Sequence, residues 1–290
     1  MRQWSIGIYT GASPFDLSPP AHVTNPVLTA RDVRDVRARY VADPFVVRRE
    51  RRWHMFLEVL EENSRGKIAY ARSDDGHRWQ YGGIVLEEPF HLSYPYVMAV
   101  DAEVYLVPES GAAGDVRLYR ANPFPNRWVL AETLLTGAPY TDSSLVRFHD
   151  RWWMFTLRDP RRNDSLRLYC AERIEGPWTE HPRSPVVVSN PHWARPGGRV
   201  FEYGGRLFRY AQDDARRYGL QVWALEITEL TTSTYAEQLV RPTPVLRPRR
   251  FGWNSLGMHH VDPHPLGGNR WLACVDGHRN ALRLAIKLRR

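Results

Sequence analysis

Cysteine, lysine and long apolar runs are all scarce in this chain, and each scarcity excludes something. Only Cys170 and Cys274 are cysteine, and they sit in separate apolar, strand-like runs. Nothing marks them as a disulfide pair, so they read as small buried hydrophobes. No apolar stretch approaches the roughly 20 residues needed to cross a bilayer, so membrane insertion is not expected. The opening Met1-Arg2-Gln3-Trp4-Ser5 lacks the apolar core and small-residue cleavage site of a signal peptide, which makes the cytoplasm the expected compartment. Lys67 and Lys287 are the only lysines, so the net charge of +8 is carried almost wholly by arginine. The arginines are dispersed, with short clusters at Arg48-Arg49, Arg51-Arg52 and Arg247-Pro248-Arg249-Arg250. With no basic helix face and no nucleic-acid motif, a generally basic surface is expected and nucleic acid is not an expected partner.

What the chain does have is aromatic residues and turn formers: 11 Trp and 14 Tyr beside 22 Pro and 20 Gly. Aromatics favour pleated, half-buried surfaces and Pro and Gly punctuate turns, so together they argue for many short strands. The strands repeat. Ala42 to Val47, Trp53 to Glu58, Lys67 to Ala71 and Trp79 to Leu86 form four strand-sized runs, with Ser73-Asp74-Asp75-Gly76 as turn chemistry between the last two. The same order returns from Tyr94 through Leu130, from Asp142 through Trp178, and from Arg195 through Tyr235. A fifth copy opens at His259-His260-Val261-Asp262-Pro263 and runs through Trp271–Val275 to Leu282–Leu288, one strand short. Trp4 to Tyr9 supplies the missing strand, and closing the ring with it removes exposed edges. The expected fold is all-β, a single five-bladed β-propeller domain over residues 1–290 closed by the N-terminal strand.

Aligning the copies defines two rings. Asp43, Tyr94, Asp142, Arg195 and Asp262 open the innermost strands, and Glu58, Glu109, Arg158, Gln212 and Asp276 end the second strands. Antiparallel neighbours bring one strand's end beside the other's beginning, so both rings are expected at one mouth of the channel. Crowded carboxylates with unequal surroundings can hold one acid protonated and another ionised, which is what cleavage of a glycosidic bond requires. A His259, His260, Asp262, His264 cluster with His278 nearby does not make a convincing tetrahedral zinc set, and no metal ligand is assigned. His260 reads instead as a partner of substrate or carboxylate.

The blade opening Ala42-Asp43-Pro44-Phe45-Val46-Val47 and the Ser73-Asp74-Asp75-Gly76-x-x-Trp79 turn resemble the five-bladed propellers of glycoside hydrolase family 43. A closer resemblance is to the N-terminal propeller region of plant glucosamine inositolphosphorylceramide transferases and their bacterial relatives. It rests on Glu88-Pro89-Phe90-His91-Leu92-Ser93-Tyr94-Pro95, Val107-Pro108-Glu109-Ser110, Gly176-Pro177-Trp178-x-x-His181-Pro182, Arg195-Pro196-Gly197-Gly198, and Ala211-Gln212-Asp213 with Tyr218-Gly219. Together these span nearly the whole chain. The family 43 resemblance implies a general base opening the first blade, which Asp43 matches. The acid there is a third-blade glutamate, where this chain has Asp142, and the tuning aspartate of the second blade is replaced by Tyr94, with Glu109 the nearest carboxylate. The transferase resemblance implies that transfer chemistry lies on a separate domain.

The main expectation is therefore a glycosidase acting on a small glycoside. Asp43 would serve as base or nucleophile and Asp142 or Glu109 as acid. Glu58, His91, Tyr94, Arg158, Arg195, Gln212, His260, Asp262 and Asp276 would contact the sugar. No cofactor is required, and a structural calcium or sodium ion in the channel is compatible with the resemblance. The alternatives are a non-catalytic, glycan-binding propeller of a glycosyltransferase system, and sugar transfer from a phosphate-activated donor held by Arg158 and Arg195.

Overall fold

A computed structural model describes residues 2–280. Among them are twenty strands, one short 3₁₀ turn at Gly111–Ala113, and no helix long and apolar enough to cross a membrane. The strands form five four-stranded antiparallel sheets. Blade I is β3 (Ala38–Arg49), β4 (Arg52–Glu61), β5 (Gly66–Ser73) and β6 (Gln80–Leu86), following β1 (Arg2–Ser13) and β2 (Asp16–Ser18) in the chain. Blade II is β7 (Ser93–Val100), β8 (Glu103–Ser110), β9 (Asp115–Ala121) and β10 (Trp128–Thr136). Blade III is β11 (Thr141–Phe148), β12 (Arg151–Leu157), β13 (Leu166–Ala171) and β14 (Thr179–Glu180). Blade IV is β15 (Phe201–Tyr203), β16 (Arg206–Gln212), β17 (Val222–Leu230) and β18 (Tyr235–Leu239).

Blade V joins both ends of the chain, in the order β19 (Val261–Gly267), β20 (Arg270–Asn280), β1, β2. The N-terminus thus supplies the third and fourth strands, not a single closing strand. The run Leu282–Leu288, expected to end this blade, lies outside the described residues. β1 pairs with β20 over ten positions, from Arg2 opposite Asn280 to Gly11 opposite Trp271. Its buried Ile6 and Ile8 pack with Leu272 and Cys274. Both cysteines are buried and free.

Local chemistry accounts for the turns. In blade I the Ser73 hydroxyl accepts from the Gly76 N–H, Asp75 Oδ1 accepts from the N–H groups of His77 and Arg78, and Gly76 takes φ +78°. That is side-chain capping of a tight turn by short polar residues, with glycine where the left-handed backbone is needed.

Two regularities position the site. In β3, β7 and β11 the pairing register slips between Ala42 and Phe45, Ser93 and Tyr96, and Thr141 and Ser144. Each slip holds a left-handed residue, Asp43 (φ +53°), Tyr94 (φ +43°) or Asp142 (φ +52°). Such bulges re-aim a side chain at the cost of backbone strain, and both features concentrate at functional sites. The second regularity is in the segments that return from one blade's outer strand to the next blade's inner strand. They bond the third strand near its mouth end, through Leu92 to Gly66, Leu166 to Val187, Val222 to Leu246 and Ile6 to Leu28. These return segments therefore lie on the mouth face.

Blade IV has a three-residue inner strand where a longer one is expected. Pro196 cannot donate to a ladder and Gly198 takes φ +137°, so the chain from Arg195 to Val200 runs irregularly along the channel. Below the mouth an ion pair closes the channel. Arg199 Nε lies 2.5 Å from Asp262 Oδ1, and its Nη2 donates to the carbonyls of Val46 (3.1 Å) and Val97 (3.0 Å). Asp262 in turn accepts from the Val46 N–H at 2.6 Å, so one pair stitches blades I, II, IV and V together.

Candidate functional site

The bulges turn Asp43 and Asp142 toward the channel mouth. Asp43 Oδ2 accepts from the Tyr94 N–H at 3.3 Å, and the Asp43 N–H donates to Asp276 Oδ2 at 3.0 Å. Asp142 is held more tightly: Arg195 Nε (2.7 Å) and Gln212 Nε2 (3.0 Å) both donate to its Oδ2. Arg195 packs over the Tyr218 ring at 5.0 Å and reaches Asn163 Oδ1 (3.4 Å) and Asp214 Oδ2 (3.8 Å). Tyr94, expected as a sugar contact, has its hydroxyl fully engaged by protein partners. It is 1% exposed, and its hydroxyl is used by Ser144 Oγ (2.8 Å) and by the N–H and carbonyl of Gly198 (2.8 and 3.0 Å), so it forms the floor beneath the funnel.

The second ring assembles at four places out of five. Glu58 is paired with Ala42 and Glu109 with Ser93, each just before a bulge residue, while the Gln212 N–H donates to the Arg195 carbonyl. Asp276 follows Val275, the partner of Val261. In blade III the equivalent residue is Leu157, opposite Thr141, so Arg158 falls one residue beyond the ring and is exposed on the β12–β13 loop. Asp262 is likewise displaced: it is fully buried in the ion pair with Arg199, deeper in the channel than the mouth. His91 borders the funnel, its Nδ1 accepting from the Gly66 N–H at 2.9 Å and its Nε2 3.5 Å from Glu58 Oε1.

A pair from blade V completes the mouth. Asp276 Oδ1 accepts from the His259 ring Nδ1 (2.8 Å) and from the N–H groups of His259 (3.2 Å) and His260 (3.1 Å). Burial alone would raise the Asp276 carboxyl, but the charge and hydrogen bond of His259 override it and hold it low. The His259 imidazole, which burial would lower, is raised by Asp276 in return. His259 is stacked at 3.9 Å on Trp4, which is 3% exposed. His260 is fully buried and donates from Nε2 to the Pro44 carbonyl (3.1 Å), and burial lowers its pKa to about 4. Its Nδ1, 3.9 Å from Asp43 Oδ1, has no hydrogen-bond partner.

Asp43, Glu58 and Glu109 are pushed toward their neutral forms. Burial lifts Asp43 to about 7, opposed by His259 and assisted by Asp276 and Asp142. Burial likewise raises Glu58 and Glu109 well above the usual carboxylate range, with Asp43 adding to the first and Asp142 to the second. Asp43, His259 and Asp276 each offer one ligand atom within 4.8 Å of the others, the one such set among the described residues. The existing His259–Asp276 bond already uses two of those atoms. Among the residues around the funnel, His259, Asn163, Asp214 and Tyr218 were not singled out as site residues from sequence. Asn163, Asp214 and Tyr218 lie on loops after the second strands, where no strand periodicity marks them, although Tyr218-Gly219 belongs to a shared motif.

The family model for the N-terminal region of glucosamine inositolphosphorylceramide transferase 1 matches residues 2–278. The chain belongs to this family. Glucosamine inositolphosphorylceramide transferase 1 of Oryza sativa subsp. japonica is 36% identical over 95% of this chain, and the protein of that name from Arabidopsis thaliana is 32% identical over the same share. The chain spans about 40% of the length of these relatives. Among solved structures, a β-1,2-mannobiose phosphorylase from Listeria innocua aligns with TM-score 0.66 at 12% identity, over 93% of this chain and 96% of that one. A thermostable family-43 glycoside hydrolase aligns with TM-score 0.62 at 12% identity, over 88% and 91%. At such identity these likenesses show the five-bladed fold and nothing more. The expectation of a glycosidase is overturned, because the curated relatives of this propeller are named as a transferase. Of the two residues expected as acid, Asp142 has Oδ2 occupied by two donors, whereas burial keeps Glu109 raised.

Proposed function

We propose that the funnel binds a carbohydrate and serves as the sugar-recognition part of a glycosyl-transfer system, without itself cleaving a glycosidic bond. The observation that carries this reading is a pair of buried oxygens at the mouth, Glu58 Oε1 and Gln212 Oε1, that have no hydrogen-bond partner. Buried polar atoms left unpaired are costly, so a ligand that donates to both would recover that cost. With Asp43 and Glu109 beside them the lining is rich in carboxyl oxygens that burial holds toward neutrality, and an ammonium donor from a sugar would favour their ionised, accepting forms. The relatives' name specifies glucosamine, whose amine is such a donor. Transfer from a phosphate-activated donor at this funnel finds less support: Arg195 is engaged by Asp142, Arg199 by Asp262, and Arg158 stands exposed one residue beyond the ring.

Titration calorimetry with glucosamine, glucose and myo-inositol tests the reading on wild type and Glu58→Gln. Glucosamine is expected to bind most tightly, with the substitution weakening it about 10-fold, the value of one hydrogen bond to an acidic group. Heat signals indifferent to Glu58→Gln, or release of nitrophenol from nitrophenyl glycosides by wild type, would sink it.

A further inference from the structure

Around the acidic funnel the mouth face changes sign. Arg161 stands on the β12–β13 loop, Arg216 and Arg217 on the β16–β17 loop, and Arg247, Arg249 and Arg250 on the segment returning from blade IV to blade V. All six are exposed, and among the described residues none forms a salt bridge. Their neighbour Arg162, by contrast, is neutralised by Asp164 at 3.1 Å. The loops are fastened at one level. The Asn190 N–H donates to the Asp164 carbonyl, the Asp214 N–H to the Pro191 carbonyl, and Leu256 and Gly257 bond His278 at the mouth end of β20. Two of the most exposed large apolar side chains, Val188 (62%) and Phe251 (76%), lie on these return segments shortly after contact with a third strand, and the Arg250 guanidinium stands over the Phe251 ring at 5.2 Å.

Unpaired arginines beside projecting apolar tips make a surface complementary to one particular partner. Arginines near an anionic bilayer each add attraction, while an aromatic side chain enters the boundary between headgroups and acyl chains. A nucleic-acid footprint would use the arginines but would gain nothing from Val188 and Phe251. The opposite face offers a contrast. Its basic turn at Arg49–Arg52 is interrupted by Glu50, and Arg52 is tied to Asp74 at 2.8 Å. We propose that the mouth face of blades III–V docks peripherally on an anionic lipid bilayer, with Val188 and Phe251 at the contact and the six arginines over the headgroups. Docked this way, the funnel opens toward the membrane, so the sugar that reaches it is one displayed at the bilayer surface. This last step alone rests on the sugar-binding reading.

The test is co-sedimentation of the full chain with vesicles of phosphatidylcholine alone and of equal parts phosphatidylcholine and phosphatidylserine. Wild type is expected to bind only the mixed vesicles, and added salt should release it. Substituting Arg247→Gln, Arg249→Gln and Arg250→Gln together should lower partitioning on the order of 100-fold. Phe251→Ala, an exposed position that does not threaten folding, should lower it about 5-fold. The pair Arg51→Gln and Arg52→Gln on the opposite face should leave it unchanged. Absence of binding to the mixed vesicles, insensitivity to the triple substitution, or equal loss in the opposite-face pair would overturn the proposal. So would duplex DNA that displaces the vesicles at comparable concentration. Calorimetry with soluble glucosamine reads the funnel separately, so docking and sugar binding fail independently.

Discussion

Asp43 brings together, in one side chain, most of what distinguishes the mouth. It is left-handed in a bulge, 8% exposed, next to the Asp276–His259 pair, and lifted by burial to about 7. A carboxyl raised in the native state binds more protons there than in the unfolded chain between about pH 4 and 7. Stability therefore falls as pH rises through that window and stays at the lower level above it. Asp43→Asn removes the charge while its amide oxygen can still accept from the Tyr94 N–H. The substitution should raise stability at pH 8 by about 1–4 kcal/mol and change it little at pH 4. Urea denaturation at the two pH values measures the difference, and equal effects at both would mean that the Asp43 charge is not strained by its surroundings. A site that carries such strain in the absence of ligand fits a role in binding, since a donor from the ligand relieves it.

The strand repeat was legible in sequence because each blade needs the same four runs and the same turn chemistry, and Ser73-Asp74-Asp75-Gly76 shows that chemistry in full. Register within the repeat was less legible. β12 carries two adjacent tryptophans, and counting from Trp153, when Trp152 is the one that stands where Trp53 does, put Arg158 in the ring where Leu157 stands. In blade V the counting slipped the other way: His259 and His260 occupy the mouth and Asp262 lies below it. Blade IV shows what the irregular element requires. A Cβ on Gly198 would meet the Val261 carbonyl oxygen at 1.9 Å, in a backbone region that side chains avoid, and its N–H and carbonyl both serve the Tyr94 hydroxyl. Gly198→Ala should cost about 3 kcal/mol or more. Gly204→Ala, also left-handed at φ +59° but with nothing within 4 Å of the added atom, should cost only about 1–2 kcal/mol. Equal shifts in the two denaturation midpoints would mean that the blade IV–V junction does not depend on close backbone approach.

At the scale of the molecule, the propeller is closed by pairing residues from the two ends of the described chain. β1 lies between β20 and β2, and its Trp4, Ile6 and Ile8 are buried against neighbours that come late in the described residues. Its partner β20 carries Asp276, and Trp4 stacks on His259, so closure and the mouth share residues. Blade V thus cannot form before β19 and β20 are made, and the His259–Asp276 pair is seated against Trp4 only when it does. Removing residues 2–18 would strip two strands from the sheet, expose the full edge of β20, and uncover one side of the mouth. The shortened chain should lose its cooperative thermal transition and elute as aggregates, because an unpaired edge of this length is a template for self-association. Trp4→Ala is the gentler probe: it should cost about 3–5 kcal/mol from the lost core contact while leaving the strand paired, and it should weaken sugar binding by loosening His259. A truncated chain that still melts cooperatively near the full-length midpoint would show that blades I to IV fold without the clasp. In that case the mouth would owe its shape to the inner strands alone.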